Sequence, residues 1–463
     1  MKSISRFVSC LLVLCMMVTC GFVSALAEAT ATPAPTPVPV PEGRREVVFW
    51  HCFGGTIGEA VQRVIDNFNA SQDEVWVTGI FQGAYDDCLT KLKAAMPAGT
   101  GPDMFQMFEL GTTFLVNSGW TIPFQEMLEK DAEPYIKIDN IEPALRNYYT
   151  YNGKMVCIPF NPSTPIMYFN KTAFTEAGLD PANPPTTFAE IAAIADKLTI
   201  KEGNRITRHA MGLPIYGWFF ENFLAGMGAN YVNMDNGRSG HATAIEFDTS
   251  GAGKQIMETW KQMVDDGVIY NFGVDNAASR DAFIAGQTCI ILESTAQLKT
   301  LMKGIDGKFE LGTAYLPSML EKTQNGVIIG GANLWLCKQD DQQKINDAWT
   351  FIKYATSAPV SAQFSMDTGY FCANTAAYDE PNFQAYLKEN PNFLTAINQL
   401  HDCPISFATQ GASVGVMPEL RAIFQEEASL YLDDAETVDD MLKNVAEKDN
   451  AAIQGYNKTA YGE

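Results

Sequence analysis

The chain is poor in the residues that most often carry chemistry. It has four histidines in 463 residues (His51, His209, His241 and His401), and none falls in an HExxH motif or a metal-ligand pair. There is no CxxC, no GxxxxGK[ST] phosphate loop and no GxGxxG fingerprint, so no motif points to thiol exchange, nucleotide hydrolysis or dinucleotide binding. Gly411-Ala-Ser-Val-Gly415 fits the GxSxG pattern. A nucleophile elbow needs a buried strand before the serine and a helix starting at it. Here the preceding residues are polar and the next helical pattern begins near Pro418, so Ser413 is read as a chance match. Acids are abundant, but nothing singles out a catalytic pair. No cofactor and no metal is implied, and the chain is not read as an enzyme.

Positive charge is also scarce. Lysine and arginine number 32 against 54 aspartates and glutamates, for a formal net charge of -22. Such a surface argues against nucleic acid or anionic lipid as a general partner. Any anionic ligand then needs a local cationic site. Beyond the first residues, no apolar run is long enough to span a bilayer.

What is present begins with an export signal. Lys2 and Arg6 precede an apolar stretch, Phe7 to Val18, and Ala25-Leu26-Ala27 supplies a small-x-small cleavage pattern, which gives a signal peptide over 1–27. Val18-Thr19-Cys20-Gly21 offers a second reading, in which 1–19 is removed and Cys20 is lipidated. Residues 28–45 read as a linker. Its ATATPAPTPVPVP run (29–41) favours extended polyproline II and cannot build a core. Three of the ten cysteines lie in the signal. The remaining seven are odd in number and widely spaced, a weak disulfide signal, and are expected mostly as small buried apolar residues.

From Glu46 onward strands and helices alternate. Strands are predicted at 46–50, 74–81, 103–108, 155–160, 166–169 and 289–292, with a glycine-broken apolar run at 326–337. Helices are predicted at 56–69, 85–96, 111–118, 187–198, 254–266, 342–356 and 418–432, the first, second and fifth from apolar residues on one face and the fourth from a cap at Thr186 or Thr187 with Glu190 following. This alternation implies α/β lobes with largely parallel sheets. About 415 residues exceed what one core usually supports, so two lobes are expected with a ligand cleft between them.

Several residues then stand out at the expected cleft. Trp50 and His51 end the first strand. Tyr85 opens a helix after a strand and loop. Glu109 follows an apolar strand, where a carboxylate can accept from the vicinal hydroxyls of a polyol. Asn161-Pro-Ser-Thr-Pro165 is a stiff polar bend suited to a crossover. Gly330-Gly331 lets a backbone approach closely. Arg421 lies on an otherwise apolar and acidic helix, where a surface ion pair with Glu419 or Glu426 is the commoner fate.

Eight strings carry a family resemblance: FWH (49–51), FQGAYDDCL (81–89), MFELGT (107–112), PFNPSTPIMYFNKTAFTEAGLDP (159–181), GWFFENF (217–223), IIGGANLW (328–335), TGYFCANTAAY (368–378) and GVMPELRAIFQEE (415–427). In order and spacing the chain resembles the extracellular solute-binding proteins of ABC importers for sugars, and among these the branch that binds glycerol 3-phosphate. The likeness spans nearly the whole body from Val47. It implies an α/β, two-lobed periplasmic-binding-protein fold of type II, with lobe 1 formed by 46–160 and 332–385 and lobe 2 by 161–331 and 386–463. Crossovers are implied near 161–165, 329–332 and 379–390.

Carried over by position, the resemblance implies a ligand set of Tyr85, Glu109, Ser163, Ser294, Gly331, Tyr370 and Arg421. Pro162 replaces the first serine of the family's FNSSTP bend. Phe188 stands where the family carries a ligand-packing tryptophan, which implies extra room and a ligand such as a glycerophosphodiester. Trp50, His51, Phe188 and Trp218 are the further pocket candidates. The implied partners are a small phosphorylated polyol or sugar and the importer's permease. The implied state is a monomer outside the cell membrane, lipid-anchored through Cys20 or free. A neutral oligosaccharide ligand is the first alternative, with Trp50, Trp218 and Trp335 stacked in the cleft and Arg421 turned outward. A secreted hydrolase using Ser413 or an acid pair is the second. On the phosphate reading, Arg421→Ala is expected to lose the ligand with the fold intact.

Overall fold

Fourteen strands, numbered in chain order, build two sheets and a small hairpin in the computed structural model, which describes residues 39–320 and 326–463. The expected signal peptide, the Cys20 lipidation site and residues 28–38 of the expected linker lie outside the described residues.

The first sheet contains β1 (Arg45–His51), β2 (Val75–Phe81), β3 (Met104–Phe108), β4 (Thr121–Ile122), β7 (Ile158–Ser163) and β14 (Gly330–Cys337), in the order β2-β1-β3-β14-β4 with β7 also on β14. β5 (Thr150–Tyr151) and β6 (Lys154–Met155) form the hairpin. The second sheet contains β8 (Pro165–Asn170), β9 (Ile200–Glu202), β10 (Arg205–Leu213), β11 (Ile269–Asn271), β12 (Thr288–Ser294) and β13 (Leu311–Ala314), in the order β11-β10-β12-β8-β13 with β9 on β10. The sheets are mixed rather than largely parallel. β1 runs parallel to β2 and β3, and β10 runs parallel to β11 and β12. β14 is antiparallel to β3, β4 and β7, and β8 is antiparallel to β12 and β13. The cause is connectivity. β8 and β14 both come from the other sheet, so each enters from the interlobe side, where the parallel strands end.

Local chemistry sets the helices. Gly55–Ser71 buries Ala60, Val61, Val64, Ile65 and Phe68, a single face at three-and-four spacing. Helix Phe188–Leu198 starts at Thr187, whose side chain accepts from the Glu190 amide, one half of a capping box. The chain passes from the first sheet to the second with only Thr164 between β7 and β8, and returns between β13 and β14. Helices Gln342–Ala355 and Ala358–Thr368 pack against β1 and Gly55–Ser71. Phe383 and Leu387 of helix Pro381–Glu389 join Ile166, Tyr168 and Phe283 of the second sheet's side. Helix Met417–Leu432 packs between Gly217–Gly226 and Val438–Ala460. The result is a two-lobed α/β protein.

Gly331 sits where the two inter-sheet segments touch. It has φ +91°, and a Cβ there would lie 2.0 Å from the Asn161 carbonyl oxygen. Gly331→Ala therefore meets a positive φ and a backbone clash together. Chemical denaturation is expected to show a loss of at least about 2 kcal/mol, and unchanged stability would mean that this contact is not formed.

Candidate functional site

Two helices of the second lobe create a buried guanidinium. Helix Gly217–Gly226 reads GWFFENFLAG and is buried along almost its whole length. Gly217 faces Arg421 so closely that a Cβ there would lie 2.3 Å from Arg421 Cγ, and this is what lets the arginine's aliphatic stem lie flat. Four residues on, Glu221 takes the guanidinium in a bidentate pair, with Nε to Oε1 at 2.7 Å and Nη2 to Oε2 at 2.9 Å. The Gly217 amide donates to Gln425 Oε1 at 3.0 Å, and Phe220 stacks on Phe424 at 4.0 Å. Tyr216 lies 5.6 Å from the guanidinium by its ring centroid. Arg421 is thus neither a surface ion pair with Glu419 or Glu426 nor turned outward.

The first lobe completes the cluster. Glu109, at the end of β3, is 6% exposed and places Oε1 3.6 Å from Arg421 Nη2. Tyr85 opens its helix and stacks on Phe108, with centroids 5.0 Å apart and planes 6° apart. Its hydroxyl accepts from Asn161 Nδ2 at 3.3 Å, and Asn161 Oδ1 accepts from the buried Gln106 Nε2 at 2.7 Å. The Tyr370 hydroxyl meets both Asn161 and Tyr85, and Phe53 packs on both tyrosine rings. A network of hydroxyls and amides therefore lies near an ion pair formed between the two lobes.

Burial dominates the electrostatics. It pushes the Glu109 carboxyl up to about 7 against the opposing pull of Arg421, and Glu221 adds to the rise. Glu109 therefore exchanges a proton near neutrality. Burial likewise raises Tyr85 and Tyr370, so both hydroxyls keep their protons and can donate. Arg421 stays charged, because Glu221, Tyr216 and Glu109 outweigh its desolvation.

Other expected site residues fall at varied distances from this centre. Ser163 is buried in β7 opposite Gly330. Ser294 ends β12, half-buried, and its Oγ accepts from the Ala296 amide at 3.2 Å. Trp218 is 4% exposed and lies against Gly330, and its indole N–H has no partner among the described residues. Trp50 is half-buried on β1. His51 is buried between Phe49 and Phe81, and desolvation lowers it to about 4, which keeps it neutral.

Phe188 needs correction. It is the first residue of its helix and is fully buried, edge-on to Phe223 at 5.4 Å, so it fills the second lobe's core and opens no room for ligand. Trp335 is also core, stacked on Phe105, so the expected trio of cleft tryptophans does not form. Ser413 Oγ meets the hydroxyls of Thr113 and Tyr151, each at 3.1 Å, and no histidine is among these partners. Sequence reading missed Glu221, Tyr216 and Asn161. The signal for Glu221 was available: an acid inside WFFENF must find a cation once buried.

Two α/β lobes that both supply polar groups to one buried cluster define a two-lobed binding protein. A family model described as bacterial extracellular solute-binding protein matches residues 63–393, and the chain belongs to that family. The sn-glycerol-3-phosphate-binding periplasmic protein UgpB of Yersinia pestis is 29% identical over 419 residues, covering 89% of this chain and 93% of the relative. UgpB of Escherichia coli K12 is 28% identical over 420 residues, with 89% and 93% covered. Among solved structures, UgpB from Mycobacterium tuberculosis in complex with glycerophosphocholine is similar with a TM-score of 0.72 and 21% identity, over 89% of this chain and all but 1% of that one (99%). The cyclic alpha-maltosyl-1,6-maltose binding protein from Arthrobacter globiformis is similar with a TM-score of 0.71 and 22% identity, over 89% and 100%. Among the described residues no helix is long and apolar enough to cross a membrane.

Proposed function

We propose that this protein captures glycerol 3-phosphate or a glycerophosphodiester between its lobes outside the cell membrane and delivers it, chemically unchanged, to the permease of an ABC importer. It acts as a monomer, held at the membrane if Cys20 is lipidated. Tyr85, Glu109, Ser163, Ser294, Gly331, Tyr370 and Arg421 are the ligand set, with Tyr216 and Asn161 added. The observation that carries this reading is the cross-cleft Arg421 centre, where a cation and a row of protonated hydroxyls converge from both lobes. A ligand that bridges them favours the closed form, because each lobe alone supplies half of its contacts.

The arginine's charge is already shared between two carboxylates. An incoming phosphate favours the protonated form of Glu109, whose carboxyl titrates at about 7. Binding should therefore take up protons. Calorimetry of glycerol 3-phosphate at pH 7.5 in buffers of differing ionisation enthalpy is expected to show uptake of up to about three-quarters of a proton. A heat of binding independent of the buffer would count against Glu109 facing the phosphate, and no binding at all would sink the reading.

A neutral oligosaccharide is the second reading. It is favoured by the unpartnered Trp218 indole N–H and by the near-neutral balance around Arg421. It requires maltodextrin to bind without proton exchange.

A further inference from the structure

A cavity of about 290 Å³ opens between the lobes. From the first lobe it is lined by Thr113, Asn117 and Tyr151, and from the second by Arg238, Ser413 and Tyr456. It is linked to the Arg421 centre through shared elements. Thr113 lies four residues after Glu109, the 413–415 wall leads into the helix that carries Arg421, and the Tyr148 hydroxyl donates to the Glu109 carbonyl at 3.3 Å.

The lining is rich in hydroxyls and amides. Thr113, Tyr151 and Ser413 form a triangle of hydroxyls, each side 3.1 Å. Asn117 Nδ2 donates to the hydroxyls of Tyr456 at 2.9 Å and Tyr461 at 2.6 Å. Gly415 makes room for Tyr456, since a Cβ there would lie 2.0 Å from that ring.

The sign of the charge is the distinguishing feature. No aspartate or glutamate lines the cavity, although the chain has 54 of them. Arg238 lines it and has no carboxylate partner among the described residues. Its Nε, Nη1 and Nη2 donate to the carbonyls of Gly411, Tyr148 and Gln410 at 3.1, 3.1 and 3.0 Å. Two of its five N–H groups remain. The guanidinium also covers the rings of Tyr148 and Tyr151, at 4.8 and 5.5 Å. His241 stacks on Tyr461 at 3.5 Å, and its Nδ1 meets the Glu463 carboxylate at 3.1 Å. A cation entering here meets an uncompensated arginine that already occupies aromatic faces a quaternary ammonium would use. An uncharged polyol meets donors and acceptors on every side.

We infer that this cavity receives the second half of a glycerophosphodiester and selects an uncharged polyhydroxyl group, such as glycerol or a cyclitol, over a cationic choline or ethanolamine. The inference rests on the phosphate reading of the Arg421 centre. Room for a larger ligand then lies at Tyr151 and Arg238, not at Phe188.

Calorimetry on the mature chain with glycerol 3-phosphate, glycerophosphoglycerol and glycerophosphocholine tests it. Glycerophosphoglycerol is expected to bind at least about tenfold more tightly than glycerophosphocholine. Ser239→Glu, which adds a carboxylate at an exposed position on the cavity wall, should shift that ratio several-fold towards the choline ester. Equal or tighter binding of glycerophosphocholine by the wild-type chain, or a ratio unmoved by Ser239→Glu, overturns the inference while glycerol 3-phosphate binding upholds the reading beneath it. Failure of all three phosphates to bind overturns both.

Discussion

Arg421→Ala is expected to abolish capture of a phosphate ligand and also to weaken the fold by about 3–5 kcal/mol, the usual cost of removing one partner of a buried ion pair. The second effect departs from what the sequence alone implied, a binding loss with an intact fold. The reason is geometric. Arg421 holds both oxygens of Glu221 and faces Glu109, and Glu109 and Glu221 are both buried. Alanine leaves two carboxylates with no counterion. The two effects separate in Arg421→Ala/Glu221→Gln, which removes one of the stranded charges. Urea denaturation should show that the double variant regains part of the lost stability, while calorimetry shows that it regains no affinity. Recovered binding in the double variant would mean that Arg421 serves only to neutralise Glu221.

The second large effect is a pH dependence set by Glu109. Its carboxyl titrates at about 7 in the folded protein against 4.5 for the free group, with desolvation the main cause. Between these values the folded chain holds a proton that the unfolded chain has released. The unfolded state thus binds fewer protons, so stability falls as pH rises from about 4.5 to 7. The contribution of this group over that window is about 3 kcal/mol. Asp449, pushed up to about 8 by burial, acts with the same sign, so the wild-type slope contains both. Glu109→Gln isolates the first. Unfolding free energies at pH 5 and pH 8 should differ by about 2.5 kcal/mol less in the variant than in the wild type. Parallel pH profiles would show that Glu109 is not desolvated as the structure places it.

Much of the fold was legible because its cores are built from repeated local patterns. The 56–69 helix, the 187–198 helix with its Thr187 cap and the 289–292 strand all appear within a few residues of their expected limits. Strand direction was not legible. The crossover near 329–332 was implied by the resemblance, but not its consequence: a strand arriving from the other lobe runs antiparallel to β3. The site divides in the same way. Tyr85, Glu109 and Arg421 sit at element ends or break an apolar pattern, and the structure brings them into one cluster with Tyr370. Glu221 was overlooked because its role depends on a helix 200 residues away. Phe188 was assigned to the pocket by positional likeness alone. Its place as the first residue after a capping threonine, at the head of an amphipathic helix, turns it into the core instead.

The cysteines have a practical consequence. Six of the seven thiols among the described residues are buried and all seven are free, with Cys403 half-buried. Burial holds the Cys157, Cys337 and Cys372 thiols in their unreactive protonated form. One cysteine added at an exposed position near the cleft but outside its lining is then the readily alkylated thiol among the described residues. An environment-sensitive dye attached there converts lobe closure into an optical signal, and the protein becomes a reporter for its own solute without prior removal of native thiols.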